Sequence, residues 1–136
     1  MKKTLGQAVA EIDRLRPNGY SEEEKTQWIN ALEARIQTEV WLMPPSDLTQ
    51  YDFSADSQTE LLLDEAHQDI YPAWLAAQID FHNGEYDKYQ NSIEMYNALW
   101  RNYVAWYCNT YRPADGPAAW RGGGAAWTRQ YRYSRL

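Results

Sequence analysis

The sequence predicts an all-α fold: a small helical bundle of about four helices, with a long loop and an extended C-terminal arm. Three observations lead there. Two capping boxes each open an apolar stripe of helical spacing in the first 42 residues. Aliphatic and aromatic residues keep the same period from Ile70 to Tyr107. After Arg112-Pro113 the chain turns to Gly, Arg and aromatic residues with no helical period.

Thr4 and Gln7 form the first capping box, and Leu5, Ala8, Val9, Ile12 and Leu15 follow at helical spacing. Arg16-Pro17-Asn18-Gly19 is a stop and turn signal, so the first helix should run 4–15. Ser21 and Glu24 form the second box, and Glu22 and Glu23 suit the positive end of a helix dipole. Trp28, Ile29, Leu32, Ile36 and Val40 make its stripe. The second helix should span 22–42, ending before Pro44-Pro45.

Residues 44–60 read as an irregular loop, with Tyr51 and Phe53 its only aromatics. A loop of this length inside a domain is uncommon and is often functional or packed on a partner, which makes Tyr51 and Phe53 candidate inter-subunit contacts. Thr49–Phe53 has the residue types of a short strand. A third helix is expected over 66–83, with Ile70, Trp74 and Phe81 on its stripe. Pro72 moves the expected start toward Asp69, since proline is tolerated only in a first turn. Asn83-Gly84 marks the turn into a fourth and longest helix, 85–109, with a broad aromatic face from Tyr86 to Tyr107. About half of those rings are expected to form the domain core.

These elements divide the chain into a helical domain, 1–111, and a C-terminal arm, 112–136. Charge divides it at the same point. The domain holds 8 Lys/Arg against 18 Asp/Glu, a net of −10; the arm holds five Arg and one Asp, a net of +4. An acidic body is a poor binder of phosphate backbones, whose affinity comes from Lys and Arg displacing counterions. The arm can meet nucleic acid or an acidic protein surface. With 44% hydrophobic and 24% charged residues, the composition is that of a soluble globular class. No apolar run reaches the eighteen residues of a membrane span, and no signal core follows the basic start. The single Cys108 points to synthesis in a reducing cytoplasm.

Chemical motifs are sparse. His67, His82 and Cys108 lack zinc-ligand spacing, and the carboxylates from Asp64 to Asp87 fit a solvated helix face. There is no phosphate loop and no nucleophile elbow. The expectation is therefore a non-enzyme without metal or cofactor. The unusual feature is seven Trp and eleven Tyr in 136 residues. Such rings anchor interfaces. In the arm, Trp120, Trp127, Tyr131 and Tyr133 alternate with Arg121, Arg129, Arg132 and Arg135, a pattern suited to folding onto a partner or adding a strand to one.

Thr4-Leu5-Gly6-Gln7-Ala8, the run Leu15-Arg16-Pro17-Asn18-Gly19-Tyr20-Ser21 and Trp28-Ile29-x-x-Leu32-Glu33-x-Arg35-Ile36 resemble small proteins of the head–tail gene cluster of tailed bacteriophages. The most specific stretch is Trp74-Leu75-x-Ala77-Gln78-Ile79-Asp80-Phe81-x-Asn83-Gly84-Glu85, continuing through Tyr89-x-Asn91-Ser92, Met95-x-Asn97-Ala98 and Trp106-Tyr107. The resemblance is to head–tail connector (adaptor, or head-completion) proteins. It covers most of 4–111 and leaves out the arm. It implies a virion neck protein made in the bacterial host cytoplasm. The subunit would form a homo-oligomeric ring, commonly a dodecamer, between the portal protein and a downstream neck or tail component. DNA would pass through its channel without sequence-specific binding. The residues themselves leave a second reading open, a helical nucleic-acid-binding or regulatory module whose arm stacks on bases and pairs with phosphates.

Overall fold

In a computed structural model that describes residues 2–111, α1 spans Leu5–Leu15, α2 Glu22–Arg35, α3 Phe53–Asp56, α4 Ile70–His82 and α5 Tyr86–Thr110. No strand occurs among the described residues, and the fold is all-α.

The first turn of α1 leaves no amide unsatisfied. Leu5 and Gly6 donate to the carbonyls of Thr59 (2.9 Å) and Ser57 (2.8 Å). Gln7 donates to Thr4 Oγ1 at 3.2 Å, and Ala8 to the Thr4 carbonyl at 3.0 Å. Gln7 Oε1 accepts back from the Thr4 amide, completing the expected box. Helix start and loop thus hold each other. Gly6 is needed for that approach, because a Cβ there would lie 2.9 Å from the Ser57 carbonyl oxygen. Leu5, Ala8, Val9 and Ile12 are buried as the stripe predicts, but Leu15 is exposed. The helix ends at Leu15, and Arg16 turns inward instead, where Nη1 donates to both oxygens of the buried Asp80.

Ser21 caps α2 by accepting from the Glu24 amide. The helix continues past Arg35 as a π turn, Ile36–Val40, and not as the regular helix to residue 42 expected from its stripe. Trp41 donates to the Ile36 carbonyl at 3.0 Å and Met43 to that of Gln37 at 2.8 Å, and Leu42 closes the end with a φ of 57°. The wider turn keeps both Ile36 and Val40 buried while aiming Trp41 at α5.

α2 and the π turn that continues it carry a polar ridge on their inner side: Asn30, Glu33 and Gln37, all buried. The short strand expected at Thr49–Phe53 does not form, and this ridge is the reason. Asn30 Nδ2 donates to the Tyr51 carbonyl (3.0 Å), and its Oδ1 accepts from the Tyr51 amide (2.9 Å). Gln37 does the same at Thr49, accepting its amide at 2.9 Å and donating to its carbonyl at 3.3 Å. Side-chain amides therefore do for this segment what a neighbouring strand would do.

Leu61 and Leu63 enter the core, and Leu62 between them is half-buried. Asp64 then caps a 3₁₀ turn, Glu65–His67, that leads to α4. The helix thus begins at Ile70 with Asp69 as its N-cap, where Pro72 had moved the expected start. Pro72 falls in the first turn, where its missing amide costs nothing. Asn83 and Gly84 (φ 75°) turn the chain into α5, which packs back along α4 as a helical hairpin. Of the α5 rings, Tyr96, Tyr103 and Tyr107 are buried, while Tyr86 is exposed.

Candidate interaction site

The hairpin places aromatic surfaces at its two ends. At the α4–α5 turn, Phe81 (47% exposed) packs against His82, Tyr86 (61% exposed) and Tyr89, with ring centroids 5.3–6.0 Å apart. His82 stacks in turn on Trp28 at 5.0 Å. At the other end of α5, Trp41, Tyr103, Trp106, Tyr107 and Tyr111 wall an open cleft of about 300 Å³. Leu62 supplies an aliphatic wall, and Asp64 and Lys2 bring charge to it. The cleft is built by long-range contacts. Trp41 Nε1 donates to Tyr103 Oη at 3.0 Å, so the π turn of α2 is tied to the last third of α5. His67 wedges beside Tyr103 and Trp106 at 5.0 and 4.6 Å, its Nδ1 held by Asp64 at 2.8 Å. Tyr111 stacks on Tyr107 at 4.5 Å. Burial pushes the Tyr103 hydroxyl well above the ordinary tyrosine value, so it stays protonated while its oxygen accepts from Trp41.

A second cluster lies deeper. Glu33 is fully buried. Its Oε2 accepts from the Tyr71 hydroxyl and from the Leu62 amide (2.9 Å). Oε1 has no aligned partner, and neither has the neighbouring Tyr51 hydroxyl. Burial raises the Glu33 carboxyl above its ordinary 4.5, against the lowering effect of the Tyr51, Tyr71 and Leu62 groups and of Lys2. The Tyr51 and Tyr71 hydroxyls are pushed up too, by burial first and then by the Glu33 charge. A third polar contact joins Arg16, Asp80 and Ser92 across α1, α4 and α5.

Several expectations now have a location. Tyr51 was a candidate inter-subunit contact on an irregular loop. It lies instead in the core of its own chain, because Asn30 grips its backbone and draws the ring inward. Phe53 is half-buried against that core at the start of α3. The arm residues Trp120, Arg121, Trp127, Arg129, Tyr131, Arg132, Tyr133 and Arg135 lie outside the described residues. Among the described residues no group of three or more His, Cys, Asp and Glu could hold a metal, and no helix is long and apolar enough to cross a membrane. Cys108 is exposed.

Trp41 and the Glu33 cluster were not anticipated. Glu33 did leave a trace: it sits beside Leu32 and four residues after Ile29, on the stripe that faces inward. The motif of the resemblance has mainly architectural roles. Trp74 Nε1 donates to the Trp28 carbonyl at 2.8 Å, Asp80 receives Arg16, and Asn83-Gly84 makes the hairpin turn. No family model, characterised protein or solved structure matches the chain.

Proposed function

We propose that this chain is a virion structural protein, a head–tail connector (adaptor or head-completion) subunit of a tailed bacteriophage. It forms a ring, a dodecamer in the family it resembles, between the portal and the next neck component, and it extends the DNA channel. The observation that carries the reading is the pair of dissimilar aromatic surfaces at opposite ends of α5. Tyr86 and Trp106, twenty residues apart on α5, are separated by about 30 Å along its axis. A ring needs two different patches that meet head to tail, whereas a two-fold dimer needs one patch that matches itself. Phe81 and Tyr86 are the exposed rings of one patch, and Trp106 and Tyr111 are half-buried rings of the other.

Charge supports the same reading. A body of net −10 repels phosphate and suits a channel wall past which DNA must slide. The mechanism is mechanical, with aromatic and Arg anchors joining rings and no bond made or broken. The test is particle imaging and solution mass of the purified protein, alone and with a portal. The expected result is a ring seated on the portal. A chain that stays monomeric beside a portal, yet binds DNA with a steep salt dependence, would favour the nucleic-acid module instead.

A further inference from the structure

We infer that the aromatic cleft at the end of α5 is the docking site of the chain's own C-terminal arm, residues 112–136, in the free subunit. Four observations carry this, and none rests on the connector reading.

The first is position. Tyr111, the last described residue, is itself part of the cleft wall, so the arm departs from the cleft's own lip. The second is direction and reach. Tyr111 leaves α5 in an extended conformation (φ −109°, ψ 112°). Trp120 is nine residues further on and Trp127 sixteen. At ~3.3 Å per residue, nine residues reach up to about 30 Å, ample for a return to a site at the point of departure. A ligand tethered so closely has an effective concentration on the order of millimolar, far above that of another copy in dilute solution.

The third is chemistry. The cleft offers aromatic walls, the Leu62 side chain and the Asp64 carboxylate, which already holds His67 Nδ1 and the Ala66 amide and keeps lone pairs for a further donor. The arm's composition is the counterpart: two Trp and two Tyr interleaved with five Arg. Indole and phenol rings pack edge-to-face on such walls, and guanidinium groups pair with carboxylates or stack on rings. Lys2 at the rim opposes an Arg locally. The wider field favours one, since the body is −10 and the arm +4. The fourth is size. About 300 Å³ equals roughly ten waters of bulk liquid, and it lies at the lower end of small-ligand pockets. That suits one or two large side chains better than a cofactor. Docked this way, the arm covers the aromatic walls of the cleft.

The full chain, 15.9 kDa, is within the range of solution NMR. The expected result is a set of NOEs from the Trp120 or Trp127 ring protons to the Leu62 methyls, assigned with the Trp120→Phe and Trp127→Phe variants. They should be unchanged on tenfold dilution and absent from an isotope-filtered experiment on a mixture of labelled and unlabelled chains. Arm amides should exchange at least tenfold more slowly than in the Trp120→Ala/Trp127→Ala double variant, whose helical CD should equal that of the unaltered chain. Absence of these NOEs overturns the inference. NOEs seen only between labelled and unlabelled chains overturn it in favour of a second copy. A chain that shows the intramolecular NOEs but forms no ring on a portal leaves this inference standing and removes only the connector reading.

Discussion

Replacing Glu33 with glutamine should make the protein more stable at pH 8, although it removes the only charge from a buried hydrogen-bonding cluster. Glu33 Oε1 and the Tyr51 hydroxyl are both buried without aligned partners. The misaligned pair together costs about 1–3 kcal/mol, and burial of the Glu33 charge, the largest cause of its raised pKa, adds to that cost. A glutamine amide in the same place puts its carbonyl oxygen where Glu33 Oε2 accepts from Tyr71 and Leu62, and turns an N–H toward the Tyr51 oxygen in place of Oε1. Against this, the bonds from Tyr71 and Leu62 lose their charge assistance, roughly 1–1.5 kcal/mol each. The net expectation is a gain of about 1 kcal/mol, read as a rise of ~0.5–1 M in the urea midpoint.

The pH dependence follows from the sign of the shift. The folded carboxyl has a pKa above 4.5, so the folded state keeps this proton to higher pH than the unfolded state. Stability from this site is therefore present below 4.5, is lost as pH rises through the folded value, and stays lost above it. Glutamine does not titrate, so the stability of Glu33→Gln minus that of the unaltered chain should grow with pH across this window and then level off. The assay is urea unfolding of both proteins at a series of pH values from 4 to 8. A glutamine variant more than about 1 kcal/mol less stable at pH 8, or a difference that shrinks as pH rises, would refute the reasoning. Glu33→Ala is the companion measurement. It strips acceptors from Tyr71 and Leu62 and opens a cavity, and it should cost about 3–5 kcal/mol.

Two further outcomes follow from the same contacts. Gly6→Ala should lower the thermal midpoint, at a cost of about 1–3 kcal/mol, because its Cβ meets a backbone oxygen that is held by the helix it caps. Gly19→Ala, with nothing within 4 Å, should leave the midpoint unchanged. Asn30→Ala should orphan both the amide and the carbonyl of Tyr51, cost about 2–4 kcal/mol, and speed amide exchange at Thr49 and Tyr51 ahead of the rest of the chain.

The helices were legible where their signals are local. Thr4 with Gln7 and Ser21 with Glu24 announce helix starts within four residues, and Asn83-Gly84 announces the hairpin turn. The buried loop was not legible, because its partners are distant in sequence. Nothing near Tyr51 tells that Asn30, 21 residues earlier, will bond its backbone in both directions. The π turn at Ile36–Val40 has the same origin, for its gain is realised only when Trp41 reaches Tyr103, 62 residues away. Aromatic abundance alone did not say which rings would pack inside. Sorting Tyr96 and Tyr103 into the core and Tyr86 onto the surface needed the hairpin's register.

The grip of Asn30 and Gln37 on the loop falls on main-chain atoms alone. Between and beyond the gripped positions, Gln50, Asp52, Ser54 and Ala55 face solvent. The segment is thus fixed in path but free in its outward lettering. Substitutions at Gln50 and Ala55 change the surface of this face without touching the bonds that hold its path, whereas Asp52 and Ser54 also bond each other. Path and surface are thereby separated: the frame stays constant while the chemistry displayed on it can be rewritten.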